Sequence, residues 1–135
     1  MNAPSPAMHD LARRLLAASR SAPAKAEAGL HAHEAVLMFE TLRITLSKST
    51  GANGFASLLN RALVLARAEV PDLQSVQIGT NCRIEGLEEL AATDGGVDAA
   101  VKLAAHLLTL LVTFIGEPLT VRLLHEGWPD ANLFT

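Results

Sequence analysis

Apolar residues recur at three- and four-residue spacing along most of this chain, which is the pattern of amphipathic α-helices. Ser5 before Pro6 is a typical helix start, because the hydroxyl can cap the helix and proline suits its first position. Pro23, Pro71 and Pro118 each interrupt an apolar run. The chain is therefore predicted to form helices over about residues 6–22, 30–48, 55–70, 86–92, 97–115 and 119–126.

The second predicted helix carries two apolar stripes rather than one. The inner stripe consists of Ala35, Phe39, Leu42 and Leu46, spaced as one helical face. The outer stripe recurs every seven residues and consists of Leu30, Leu37 and Ile44. A helix with two stripes must be covered on two sides. Two covers for the outer stripe remain open: a second copy of the chain, or the N-terminal helix folded back over it.

The segment between the third and fourth predicted helices lacks helical spacing. Val76 and Ile78 alternate with polar residues, and so do Cys82 and Ile84 after a turn. Alternation of this kind predicts a small β-hairpin around 74–85, with irregular extended chain as the alternative. A lone hairpin is marginal in water, so it would have to pack on the helices.

Together these patterns predict an all-α fold, a compact bundle of five or six helices with at most this one hairpin. The 135 residues match the commonest domain size, so we expect one domain, with an N-terminal helix and joint over 1–28 and a core over 29–131. Half of the residues are apolar, enough for a core without disulfides or a metal. The predicted centre of the core is Phe39, Leu42, Leu58, Leu59, Leu107, Leu108, Leu111 and Phe114.

Charge and aromatic content narrow the possible partners. Eleven basic residues stand against fourteen acidic ones, and there are four Phe, one Trp and no Tyr. Phosphate backbones require dense positive charge and single strands stack on aromatic rings, so we expect no nucleic-acid partner. The longest apolar stretch, residues 101–115, is shorter than the ~20 residues that span a membrane. With no apolar signal segment and a single cysteine, Cys82, the sequence predicts a cytoplasmic protein without a membrane segment.

A polar seam follows the fifth predicted helix through Asp98, Lys102, His106, Thr109 and Thr113. An imidazole and hydroxyls inside an apolar helix can line a pocket, so His106, Thr109 and Thr113 are the candidate ligand-binding residues. The alternatives are that the seam faces water, or that its hydroxyls bond the preceding turn. If the protein is an enzyme, His106 and Cys82 are the candidate catalytic residues. Arg83 follows Cys82, and its positive charge would favour the thiolate form of the cysteine.

A metal site is not predicted. Glu27, His31 and Glu34 share one helical face, where an exposed polar surface explains them as well as a metal would. No zinc knuckle, dinucleotide fingerprint, paired carboxylates or nucleophile elbow occurs. We therefore expect neither a metal nor a cofactor.

The C-terminal region supplies two further candidates. Arg122 lies on the last predicted helix and Trp128 follows it closely. A tryptophan near an arginine suits an interface anchor, and it suits a C-terminal plug of the core equally well.

Several short runs of residues carry a resemblance to a known family. The most distinctive are Leu110-Leu111-Val112-Thr113-Phe114-Ile115-Gly116-Glu117 and Trp128-Pro129-Asp130-Ala131, with Gly86-Leu87-Glu88-Glu89-Leu90 before them. With these runs, the chain from about residue 30 to 130 resembles a family of small bacterial helical proteins of unassigned function. The resemblance implies a bacterial cytosolic protein and supplies no catalytic residues.

The leading functional hypothesis is a non-catalytic interaction or regulatory module that acts as a homodimer, or that binds another protein. Its candidate interface residues are Leu30, Leu37, Ile44, Arg122 and Trp128. One alternative is a small-molecule binding or sensing domain with a pocket along the 98–113 helix. Another is an enzyme that uses His106 or Cys82. The thin spread of charged residues and the missing catalytic motifs favour the non-enzymatic hypotheses.

Overall fold

The computed structural model describes residues 6–20, 30–79, 84–91 and 96–128, and the side chains of residues 30–37 lie outside the described part. These ranges form α1 (Pro6–Arg20), α2 (Leu30–Glu69), a 3-10 helix (Pro71–Ser75), β1 (Gln77–Ile78), β2 (Ile84–Glu85), α3 (Leu87–Ala91), α4 (Gly96–Ile115) and α5 (Glu117–Gly127). The predicted all-α bundle with one small hairpin is confirmed.

Helix α2 consists of two helical halves joined by a kink at Gly51. Two helices with a turn at 49–54 were predicted, and Gly51 lies inside that range with a non-helical backbone. Gly51 has φ 78° and ψ 160°, a left-handed backbone that glycine adopts at little cost. Just before the bend, the Thr50 hydroxyl donates to the Leu46 carbonyl at 3.0 Å. The predicted break between the two helices is therefore present, as a kink at one glycine rather than a turn of six residues.

Helix α4 lies at the centre of the core. Almost every residue from Ala99 to Leu108 is buried, because α1, α2, α3 and α5 all pack against this helix. The predicted core residues that are buried in the structure are Phe39, Leu42, Leu58, Leu59, Leu107, Leu108 and Leu111. A helix covered on most sides explains why its sequence is apolar almost throughout.

Phe114 was predicted to lie in the core, but its side chain is 71% exposed. Helical spacing puts it on the same face as Leu107 and Leu111, which are buried. It lies in the last turn of α4, however, two residues before Gly116, where a φ of 91° turns the chain into α5. Spacing predicts the face of a helix, whereas burial also requires that neighbouring elements reach the end of that helix.

The hairpin is short and is tied to α2 by one arginine. Its two strands are antiparallel, with Ile78 opposite Ile84. The Arg67 Nε–H donates to the Leu73 carbonyl at 3.2 Å, and a terminal nitrogen of the same guanidinium donates to the Val76 carbonyl. Arg67 is half-buried and holds the 3-10 helix and the start of the hairpin against α2.

Gly86 connects the hairpin to α3 in a conformation that suits only glycine. Its φ is 87°, and a Cβ built on it would lie 2.7 Å from the Ser75 carbonyl oxygen. That distance is shorter than any normal contact, so the missing side chain allows the two backbone segments to meet. Arg67 and Gly86 together hold the 3-10 helix and the hairpin in place between α2 and α4.

The C-terminal end of α5 lies close to α2. A Cβ on Gly127 would lie 2.8 Å from the Thr45 hydroxyl oxygen and 3.0 Å from the Thr41 methyl group. The next residue, Trp128, is buried in the core. The last described turn is therefore packed onto the first half of α2, before its bend.

Candidate functional site

Four titratable side chains of α1, α2 and α4 interact electrostatically, and two of them are in direct contact. We call His9, Glu69, Lys102 and His106 the polar junction. The Nε2 atom of His106 lies 3.2 Å from Oε1 of Glu69, the last residue of α2. The imidazole is 3% exposed, and the carboxylate is half-buried. A buried histidine on the central helix is thus held by a carboxylate from a neighbouring helix.

His106 is only half satisfied by this contact. Because a carboxylate only accepts hydrogen bonds, the hydrogen between the two groups lies on Nε2. The other ring nitrogen, Nδ1, is buried and has no hydrogen-bond partner among the described residues. A buried polar atom without a partner costs on the order of 1–3 kcal/mol of stability.

His9 of α1 is half-buried beside this pair. Burial lowers the pKa of His9 below its ordinary value of 6.5, and the positive charge of Lys102 lowers this pKa further. Arg13 and His106 act in the same direction, whereas the negative charge of Glu69 raises it. The folded protein therefore favours the neutral imidazole of His9.

This pKa shift predicts how stability responds to pH. With a folded-state pKa below that of the unfolded chain, the unfolded state binds more protons than the folded state just below about pH 6.5. The contribution of His9 to stability is therefore complete above about pH 6.5 and decreases as the pH falls through this window. In urea unfolding at about pH 7.5 and pH 5.5, wild type should lose more stability between the two pH values than His9→Gln does. Equal losses would contradict the prediction.

The two candidate threonines of α4 form hydrogen bonds within their own helix. The Thr109 hydroxyl donates to the Ala105 carbonyl at 2.9 Å, and the Thr113 hydroxyl donates to the Thr109 carbonyl at 2.9 Å. Thr109 is half-buried and Thr113 is exposed, whereas His106 lies in the interior. His106 is therefore more deeply buried than the two threonines, and both threonine hydroxyls are hydrogen-bonded to the preceding turn of α4. Ligand binding by these three residues stays a prediction.

The outer face of α2 presents an apolar side chain between two charges. Ile44 is 53% exposed, while its neighbours Thr45 and Leu46 are buried. Glu40 lies one turn before it and Lys48 one turn after it, and both side chains reach the surface. We call Glu40, Ile44 and Lys48 the Ile44 ridge. It is the described end of the outer stripe, because the side chains of Leu30 and Leu37 lie outside the described residues.

The other predicted interface residues occupy different environments. Arg122 is exposed on α5. Trp128 is buried among the core residues, and its backbone N–H donates to the Leu124 carbonyl at 2.9 Å. Of the two roles open to this tryptophan, the geometry corresponds to the C-terminal plug of the core rather than to a surface anchor.

The remaining candidate chemistry lies partly outside the described residues. Cys82, Glu27 and the side chains of His31 and Glu34 fall there. Within residues 6–20, 30–79, 84–91 and 96–128, no three His, Cys, Asp or Glu side chains are placed to hold a metal ion.

Comparison of the chain with protein-family models, with curated proteins and with solved structures found no match in any of the three. Among the described residues, one stretch, Asp98–Ile115, is long and apolar enough to cross a membrane by length and composition. Inside the protein 56% of this stretch is buried. The core helix of a bundle passes the same test, so the stretch by itself does not indicate a membrane protein.

Sequence reasoning missed the partner of His106 and the charges beside Ile44. Glu69 lies far from His106 along the chain, and only the packing of α2 on α4 brings them together. In contrast, Glu40 and Lys48 could have been found, because each is four residues from Ile44. The signal was the spacing of charges around an outward apolar position.

Proposed function

We propose that this protein is a non-catalytic interaction module that acts as a homodimer, assembled through the outer face of α2. The observation that carries the proposal is the 53% exposure of Ile44 on a helix whose inner face is buried. A large aliphatic side chain gains roughly 1.5–3 kcal/mol when it is fully buried. A two-fold contact buries two such side chains at once, one from each copy.

The position of α1 supports a second copy as the cover. The apolar residues Leu11, Leu15 and Leu16 of α1 are buried, and α1 packs on both α2 and α4. Ile44 nevertheless remains exposed within one chain. If the N-terminal helix were the cover at this position, Ile44 would be buried. The described part of the outer stripe is therefore available to another molecule.

The polar junction supports the non-catalytic part of the proposal. A histidine oriented by a carboxylate resembles the base of an enzyme, and His106 with Glu69 has this arrangement. A catalytic base must also reach the substrate, and the imidazole of His106 is only 3% exposed. The pair is better explained as an internal contact between α2 and α4.

The proposal is tested by Ile44→Asp. Placing a carboxylate at the centre of a two-fold contact removes two apolar side chains and brings two like charges together. We expect the dissociation constant of the dimer to rise by about 100-fold or more, equal to about 2.7 kcal/mol. The variant should fold normally, because Ile44 does not belong to the core. Sedimentation velocity over a concentration series measures the dimer, and circular dichroism checks the fold.

Val64→Asp is the matched control. Val64 is a 63% exposed aliphatic residue on the same helix, beyond the bend at Gly51 and outside the outer stripe. We expect this variant to dimerise as the wild type does. A wild-type chain that sediments as a monomer at high micromolar concentration would overturn the proposal. An Ile44→Asp variant that dimerises as well as Val64→Asp would overturn it too.

A further inference from the structure

We infer that two copies of this chain meet with their α2 helices antiparallel, on a two-fold axis at Ile44, so that Glu40 of each copy faces Lys48 of the other. The inference rests on the proposed homodimer and adds the orientation and the polar contacts of its interface. The partner it names is a second copy of this chain.

The residues of the Ile44 ridge are spaced four apart along α2. Residues four apart on a helix lie nearly above one another, so Glu40, Ile44 and Lys48 form one row along α2. All three lie before the bend at Gly51. The row therefore has an acidic end, an apolar middle and a basic end, and its side chains are at least partly exposed.

The order of charges selects the orientation. A two-fold axis perpendicular to the helix at Ile44 exchanges position 40 of one copy with position 48 of the other. In this antiparallel contact, Ile44 packs on Ile44 and two opposite-charge pairs flank it. A parallel contact would instead set Glu40 against Glu40 and Lys48 against Lys48, and like charges across an interface oppose association. The ridge is thus self-complementary in only one of the two orientations.

Glu40 is already held in place within its own chain. A terminal nitrogen of Arg43 lies 2.6 Å from its Oε1, and both side chains are partly buried. A carboxylate accepts several hydrogen bonds, so the Arg43 contact leaves capacity for a lysine from the second copy. An acceptor that is ordered before association loses less conformational freedom on binding than a mobile one does.

Charge reversal tests the inference. Glu40→Lys and Lys48→Glu each turn two attractive contacts of the antiparallel dimer into repulsive ones. We expect each single variant to raise the dissociation constant about tenfold, measured by sedimentation at low ionic strength. The double variant Glu40→Lys with Lys48→Glu restores opposite charges across the axis. It should return the dissociation constant to within about threefold of wild type.

Two comparisons make the result specific. The double variant and Glu40→Lys both lose the Arg43 contact. Any difference between their dissociation constants therefore measures the contact with position 48 of the second copy. Arg61→Glu reverses an exposed charge elsewhere on α2 and should leave the dimer unchanged.

The outcomes separate this inference from the proposed function. Dimers that persist unchanged in Lys48→Glu would overturn the antiparallel contact while the homodimer stands. A parallel contact gives that pattern, since it only exchanges one like-charge pair for another. A double variant as weak as the single variants would also overturn the inference. A monomeric wild type would overturn both proposals.

Discussion

Replacing Gly86 with alanine is expected to lower the free energy of unfolding by about 2–4 kcal/mol. Its φ of 87° lies in the left-handed region, which costs a residue with a Cβ roughly 1–2 kcal/mol. The new Cβ would also lie 2.7 Å from the Ser75 carbonyl oxygen, a backbone atom that cannot rotate away. The 3-10 helix or the hairpin must then shift. Urea unfolding followed by circular dichroism measures the loss.

Gly51→Ala is the matched control for this variant. Gly51 has a similar φ of 78°, but a Cβ there would meet nothing within 4 Å. It should therefore lose only the backbone cost of this φ and ψ, roughly 1–3 kcal/mol for a residue with a Cβ. The difference between the two variants measures the clash with Ser75. If Gly86→Ala were no less stable than Gly51→Ala, the close approach at Gly86 would be refuted.

Replacing Arg67 with methionine is expected to lower the free energy of unfolding by about 2–4 kcal/mol. The substitution keeps most of the aliphatic stem and removes both donors to the Leu73 and Val76 carbonyls. Hydrogen bonds from a charged donor contribute about 1.5–3 kcal/mol each, and here two of them share one side chain. Arg67→Lys keeps the charge but not the planar fork, so its stability should fall between those of wild type and methionine.

Arg61→Met serves as the control, because Arg61 is an exposed arginine on the same helix. Substitutions at exposed positions of this kind usually change stability by less than about 0.5 kcal/mol. Urea unfolding of both variants gives the comparison. If Arg67→Met lost no more stability than Arg61→Met, the two carbonyl contacts would contribute nothing measurable.

The helices could be predicted from the sequence because apolar spacing and prolines act locally. Pro6 marks the start of α1, and Pro71 lies just after the end of α2, as predicted. The break in α2 was predicted over 49–54 and lies at Gly51, although its confinement to one glycine was not predicted. Phe114 was misplaced because spacing does not show where the covering elements stop.

Some features of the candidate site could also be predicted from local spacing, and others depend on how the helices pack. Ile44 was predicted on the outer stripe from its spacing, and its exposure agrees with that placement. The position of His106 inside an apolar helix was also visible. Its contact with Glu69 was not, because it depends on how two helices meet rather than on either sequence. Arg67 shows the same limit, since an arginine on a helix surface does not reveal that backbone carbonyls lie within its reach.

The bend at Gly51 also bears on how this protein can change over evolutionary time. The Ile44 ridge and the contact of α5 with Thr41 and Thr45 lie before the bend, whereas Arg67 and Glu69 lie after it. Substitutions at distant sites without shared partners have nearly additive effects on stability. Surface substitutions around Ile44 can therefore accumulate without disturbing the contacts that Arg67 and Glu69 make on the other side of the bend.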